Sequence, residues 1–279
     1  MAHRLIAVGE VMLDIASAGI APGEMRHGPI RVRAGGSPVT AAYSAVAAGV
    51  DATVVGRIGA DPSGHAVRAA LSGAGIDARL AVDGAHPTGT FLEVGSGGDR
   101  AIAADRGANA TLSEGDLGDL AADAVLLSGY VLLHDDTARA GRAALERAAA
   151  RWVAVDAAST GLVSRIGADA ARSRMLGANA IFADDGEAHA LTGETGDGAA
   201  DLLAEQFDLV CVKLGADGAI ARLGPASERR PAPERLPHGA AGAGDAFAGA
   251  LLAGLVLGRS LGDALEAACA AGTRAARGS

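Results

Sequence analysis

Short runs of valine, isoleucine and leucine alternate along most of the chain with alanine-rich segments of helical period, and this alternation restricts the fold more than any other feature. LIAVG (5–9), ATVVG (52–56), AVLLSG (124–129), WVAVD (152–156), AIFAD (180–184) and LVCVKLG (209–215) have the length and β-branched content of strands buried on both faces. Helical patterns lie between most of them, at 38–49, 63–74, 137–151, 186–192 and 197–206. A strand that is apolar on both sides needs cover above and below. The class is therefore α/β, with a mainly parallel central sheet and helices on both faces. With 279 residues, 49% of them apolar, the chain can bury a full core. It shows no internal repeat and no long linker, so one domain over 1–279 is expected.

Two regions break the rhythm. Residues 16–34 contain Pro22, Pro29 and the alternating IRVR, and residues 78–105 contain ARLAVD, TGTFLEV and RAIAAD. Both read as short, half-exposed antiparallel strands too small for a core of their own, and together they form a lid on one edge of the main sheet. Strands of this kind leave an exposed edge that a second copy of the chain can cover, so a homodimer through the lid is expected. In open α/β sheets ligands bind beyond the carboxyl ends of the strands, which places the chemistry in the loops that follow the apolar runs.

Charge and cysteine usage exclude several classes. A net charge of -9 without a basic stripe argues against nucleic acid. Cys211 and Cys269 stand far apart in apolar segments, which suits reduced core thiols and neither a disulfide framework nor a thiolate metal cluster. Glu10 and Asp14 interrupt what would have to be a signal-peptide core, and no run reaches the roughly 18 apolar residues of a membrane span. The expectation is a cytoplasmic protein with no membrane partner. Asp61 followed by Pro62 reads as a helix N-cap with proline in the first turn.

One stretch carries chemistry. HGAAGAGDAFAGALLAGL (238–255) sets glycines and one carboxylate, Asp245, before an apolar helix. Gly242 and Gly244 let the backbone approach a ligand, and the first amides of the helix, lacking intrahelical acceptors, attract an anion. Asp245 is then either a helix-start carboxylate or a base that takes a proton from a nucleophile attacking a bound phosphate. The second role makes a phosphotransferase. The familiar alternatives do not fit: no lysine follows the glycines as in a P-loop, and Phe247 occupies the last glycine of a dinucleotide fingerprint.

Taken together, the motifs resemble the ribokinase-like, or PfkB, carbohydrate kinases over nearly the whole chain. GAAGAGDAFAG is similar to that family's D-T-x-G-A-G-D signature, and AGGSPVTAAYSAVAAGVDATVVGRIGADPSG (34–64) to its amino-terminal one. DRGAN (105–109), AVLLSGY, AIFADDGEAHALTG and VKLGADGA follow in the family's order. The resemblance implies ATP and Mg2+ as partners and assigns roles. Asp245 is the catalytic base, and the backbone of Gly242, Ala243 and Gly244 the anion hole for the γ-phosphate. Asp14 binds acceptor hydroxyls, while Gly35 and Gly36 close the backbone over the acceptor and join lid to body. Asp184 and Glu187 match the N-x-x-E element that organises magnesium, and Lys213, Gly215 and Gly218 the nucleotide-side loop. From the residues alone, the alternatives are a turn at Asp14, a bend at the diglycine, a first-turn charge at Glu187 and an exposed strand-end charge at Lys213, which is not assigned a catalytic part.

Three positions depart from the family pattern. Gly239 replaces the first aspartate of the signature, which puts a monovalent-cation site in doubt; Thr40 replaces an acceptor-binding asparagine; Asp184 replaces the asparagine of N-x-x-E, still an oxygen donor suited to magnesium. The acceptor implied is a small sugar, sugar acid or polyol, with a nucleoside second. The chain has few aromatic residues for base stacking, although Tyr43 and Phe91 keep that option open. Arg33, Arg57, Arg100 and Arg106 are candidates for a clamp on a phosphorylated acceptor. A non-catalytic sugar- or nucleotide-binding regulator is the rival from another class, and a nicotinamide-dependent oxidoreductase rests on fold analogy alone.

Overall fold

The alternation of strand and helix is realised in a computed structural model that describes residues 3–17, 19, 23, 25, 27–95, 100–236 and 241–277. In chain order the elements are β1 (Arg4–Val8), β2 (Met12–Ser17), β3 (Ile30–Gly35), α1 (Ser37–Ala47), β4 (Asp51–Gly59), α2 (Pro62–Gly73), β5 (Asp77–Asp83), β6 (Gly89–Val94) and β7 (Ala101–Asp105). There follow β8 (Ala124–Ser128), α3 (Gly129–Leu133), α4 (Ala138–Arg147), β9 (Trp152–Asp156), α5 (Thr160–Ile166), α6 (Ala168–Arg174), β10 (Ala180–Asp184), α7 (Asp185–Thr192) and α8 (Gly196–Leu203). The chain then forms β11 (Leu209–Lys213), β12 (Ala219–Leu223), β13 (Ala226–Arg230), α9 (Ala243–Val256) and α10 (Leu261–Ala276).

Nine strands form the larger sheet in the order β13-β12-β11-β10-β9-β8-β1-β4-β5, with only β12 antiparallel to its neighbours. Successive side chains of a strand point to opposite faces, so Leu5 and Ala7 enter one core and Ile6 and Val8 the other. The first core is closed by α1, α2, α9 and α10, the second by α3 through α8. The apolar strands are thus covered twice, as their composition requires.

The run after Asp245 is apolar all round because α9 is buried all round, from Ala246 to Leu255. At Gly249 a Cβ would stand 2.1 Å from the carbonyl oxygen of Ala41, so α1 and α9 meet backbone to backbone. This contact carries the start of α9 to the edge of β3 and α1.

A second, four-stranded sheet has the order β3-β2-β6-β7. It contains IRVR, TGTFLEV and RAIAAD, but the sheet is mixed where antiparallel pairing was expected, because β6 runs parallel to β2; ARLAVD belongs elsewhere. Those residues form β5, which pairs in parallel with β4 as the end of a β-α-β unit through α2. As an edge strand β5 packs Ala78 and Leu80 on the first core, while Arg79 on its other face bonds to Asp77 and the Asp119 carbonyl, and this gives it the alternation of a free-standing strand. Conversely, Met12–Ser17 leaves β1 to enter the smaller sheet at once, where Asp14 pairs with Arg33 and Phe91. The antiparallel pair β12 and β13 and the short helices α5 and α6 carry no periodic signal long enough to read from the sequence.

The DRGAN segment holds the two sheets together. The Asn109 side chain accepts from the Val11 amide at 2.8 Å and donates to the Val11 carbonyl at 2.9 Å, fixing the chain where β1 gives way to β2. Arg106 donates to Glu10 and to Asp136. Asp61 caps α2 through the Gly64 amide at 2.8 Å, and it also accepts from the amide and hydroxyl of Thr88. Cys211 and Cys269 are buried free thiols.

Candidate active site

The carboxyl ends of β9, β10 and β11, the first turn of α9 and the inner face of the smaller sheet enclose a cleft of about 900 Å³. At its floor, Gly242 is the N-cap of α9 with φ 88°, a left-handed conformation that glycine adopts freely. The helix's own hydrogen bonding starts with the Ala246 amide, which donates to the Gly242 carbonyl at 2.9 Å. The amides of Ala243, Gly244 and Asp245 precede it, no side chain among the described residues caps them, and all three residues line the cleft. Unengaged among the described residues, these donors and the helix dipole make a cradle for an anion, set one residue beyond the Gly242, Ala243 and Gly244 backbone that the resemblance implies.

Asp245 accepts a hydrogen bond from Ser37 at the start of α1. Burial pushes its carboxyl up to about 6; Asp156 and Asp14 push the same way, while Lys213 and Ser37 oppose. On the smaller sheet Asp14 faces the cleft, and burial raises it too, to about 6, against the pull of Arg33, whose Nε lies 3.6 Å from Oδ2. Gly35 is behind it: a Cβ there would stand 2.0 Å from the Asp14 carboxylate. Gly36 has φ 92° and turns the chain from β3 into α1 against the Glu10 carbonyl. Thr40, one turn into α1, packs near Gly242.

At the end of β10, Asp184 and Glu187 cap α7 reciprocally. Asp184 Oδ1 accepts from the Glu187 amide, and Glu187 Oε2 from the Asp184 amide, both at 2.7 Å. Burial raises Glu187 to about 7, aided by Asp156 and Asp184 and opposed by Lys213. The box uses one oxygen of each carboxylate. The remaining oxygens are hard donors on the cleft wall, and the described residues hold no cluster of three metal-ligating side chains. Such a set fits a magnesium ion that keeps waters and shares its shell with phosphates.

Lys213 is not an exposed strand-end charge. It ends β11 with its side chain 13% exposed, and Nζ donates to Asp156 at 2.9 Å. Burial works to lower its pKa, but Asp156, Glu187 and Asp245 overcome that and hold the ammonium charged. Gly215 and Gly218 follow in the next turn, and the lining also includes Ala232, Leu236, Gly272 and Ala276, small or apolar, with Glu234 and Thr273 as polar members.

The structure thus brings every residue given a role in phosphoryl transfer or in binding its partners to one cleft, except Gly35, which supports Asp14 from behind; Arg33, Arg57 and Tyr43 do not line it. Gly239 lies outside the described residues. Tyr43 packs against the first core and Phe91 faces the cleft. Asp156, Ser37 and the stacked pair Tyr130 and His134, with ring centroids 6.1 Å apart, were missed by the sequence reading. A carboxylate ending the apolar strand WVAVD was the available signal for Asp156. The arginines offered as a phosphate clamp are already paired: Arg33 with Asp14, Arg57 with Asp83 and Asp116, Arg100 with Glu93, and Arg106 with Glu10 and Asp136.

Comparison with known proteins yields a family and a set of structural relatives. The profile of the pfkB family carbohydrate kinases matches residues 2–278. No curated protein matches the chain significantly. The adenosine kinase from Sinorhizobium meliloti superposes with a TM-score of 0.83 at 21% identity, covering 98% of this chain and 93% of that one. A structure described as ribokinase II from E. coli, in complex with ATP and Mg2+, gives 0.84 at 21% over 98% and 92%. The fructokinase from Vibrio cholerae O395 gives 0.82 at 22% over 99% of each chain.

Proposed function

This chain belongs to the PfkB family of carbohydrate kinases, and from that premise we propose that it transfers the γ-phosphate of ATP to a hydroxyl of a small sugar, sugar acid or polyol. The observation that carries the reading is the placement of the Asp245 carboxylate beside three uncapped amides, in one cleft with Asp14 on the smaller sheet. The acceptor lies between Asp14 and Asp245, with Gly36 and Thr40 beside it. Asp245 takes the hydroxyl proton as the oxygen attacks phosphorus, and the amides of residues 243–245 receive the charge on the transferred group. The adenine end of ATP occupies the small or apolar part of the lining, with Ala232, Leu236, Gly272 and Ala276. Asp184 and Glu187 hold magnesium, which when bound neutralises phosphate charge. The smaller sheet serves as a lid that excludes water.

Phe91 from the lid, with Tyr130 and His134 from the body, supplies aromatic surface in the cleft, and this favours a nucleoside as the second reading. The paired arginines weigh against a phosphorylated acceptor, which would have to break those pairs. A panel of sugars, sugar acids, polyols and nucleosides, assayed by acceptor-dependent ADP release, tests the reading; saturable binding without ADP would identify a regulator instead. For the true acceptor, kcat/KM is expected to fall below about pH 6, because Asp245 and Asp14 both lose charge there. Replacing Asp14 by Asn removes one of the two protons from that limb. A flat profile from pH 5 to 7.5 would contradict the assignment of Asp245 as base.

We propose further that the lid joins two copies of the chain, through its outer face. Residues opposite one another on neighbouring strands share a face, and Asp14 and Phe91 face the cleft. Ile15, Val32 and Leu92 therefore point outward, with Ile30 and Val94, and Ile30 and Val32 are 64% and 58% exposed. An apolar sheet face of this kind calls for cover. Sedimentation should give a dimer for the native chain and a monomer for Val32→Glu; a monomeric native protein at micromolar concentration would refute the interface.

A further inference from the structure

Lys213 is the one lysine among 24 Lys and Arg side chains. Every other basic side chain of this pair of types is arginine, so the position that keeps a compact ammonium stands out. Space gives the reason: a Cβ on Gly244 would lie 2.9 Å from Nζ, and a branched guanidinium would collide with the turn. The ammonium is packed against the second residue of α9, beside the uncapped amides and one residue from Asp245.

Of its three N–H groups, one donates to Asp156, and among the described residues no second acceptor engages it. The side chain lines the cleft. Asp156, Glu187 and Asp245 all act on this one charge, so the surroundings are net negative and would repel a polyphosphate unless the ammonium faced it. A phosphoryl group held by the amides of residues 243–245, in line with an alcohol at Asp245, comes within reach of Nζ.

We propose that Lys213 is a further catalytic residue, whose ammonium contacts the transferred phosphoryl group and neutralises its non-bridging oxygens during transfer. This rests on the kinase reading above. In the step, Asp245 takes the acceptor proton and the acceptor oxygen bonds to the γ-phosphorus. The bond from that phosphorus to the β,γ-bridging oxygen breaks, and ADP leaves with the electron pair. Lys213 keeps its proton throughout. The rival role is a counter-ion that fastens the ends of β9 and β11 through Asp156 and touches no nucleotide.

Nucleotide binding separates the two without turnover. In Lys213→Gln a neutral donor toward Asp156 is kept and the charge is lost. Calorimetry with magnesium should show affinity for the β,γ-imido analogue of ATP falling about 10-fold or more, the worth of a charge-assisted hydrogen bond, with ADP affinity within about threefold of native. Turnover should drop about 10²-fold or more with the acceptor KM nearly constant. Equal losses for both nucleotides, or no loss for either, would overturn the role of Lys213 and leave the kinase reading standing. A native protein that binds neither nucleotide would overturn both. Should the variant fail to fold, native protein labelled with 15Nζ-lysine reports one side-chain ammonium resonance: the imido analogue should move it far more than ADP does, and an equal response to both would refute the contact.

Discussion

Replacing Asp245 by Asn is expected to abolish nearly all turnover while the protein becomes no less stable. General-base removal costs about 10² to 10⁴ in rate, and Asn keeps the shape of the side chain and a polar partner for Ser37. Affinities for ATP and acceptor should stay within a few-fold, because the amides of residues 243–245 and the Asp14 carboxylate are untouched. The stability arm follows from the sign of the shift. Burial and the neighbouring Asp156 raise the Asp245 carboxyl to about 6 in the folded chain, above its unfolded value near 4. A raised carboxyl stabilises the fold below its unfolded value, and that contribution is lost as pH rises through about 6. At pH 7.5 the ionised side chain therefore opposes folding of the ligand-free protein, and the neutral Asn relieves it. Kinetics and thermal melts on one preparation check both arms. Near-native kcat would remove Asp245 from the chemistry; a large fall in Tm with lost binding would make it a structural cap.

The same electrostatics explain what was and was not legible in the sequence. Strands buried on two faces reveal themselves by composition, so β1, β4, β8, β9, β10 and β11 could be placed from local runs. Asp245 was legible because glycines, carboxylate and apolar helix are contiguous. Asp156 was not, since its meaning depends on Lys213, 57 residues later. Only the parallel register, with Phe182 opposite Asp156 and Asp184 opposite Lys213, brings the two to one end of the sheet. The burial of the lysine was hidden for the same reason: a charge ending an apolar strand looks solvated until the next helix is laid over it. ARLAVD failed differently, because a half-covered edge strand and a lid strand have the same period, and only the crossover through α2 assigns it to the main sheet.

Gly35→Ala and Gly36→Ala are expected to fail in different ways, although the residues are adjacent. At Gly35 the new methyl would lie 2.0 Å from the Asp14 carboxylate, the mobile end of a side chain, so relief comes by swinging Asp14 away from the cleft. The fold loses little and the acceptor loses its partner. Removing a hydrogen bond to a charged group costs about 1.5–3 kcal/mol, so kcat/KM for the acceptor should fall about 10- to 100-fold with Tm and ATP affinity nearly unchanged. At Gly36 the obstacle is the Glu10 backbone carbonyl, also 2.0 Å away, and φ is 92°. Neither can be relieved by a side-chain rotation. An alanine held at φ 92° and ψ 153°, a region essentially reserved for glycine, costs about 1–3 kcal/mol and the backbone shift about 1–3 more, so the variant should melt several degrees lower. Glu10 pairs with Arg106, and Asn109 pins Val11, so the displacement reaches the junction between the two sheets and should depress turnover with every acceptor. If Gly35→Ala left the acceptor KM at its native value, Asp14 would have no hand in acceptor binding; if Gly36→Ala melted like the native chain, the junction would be looser than its contacts imply.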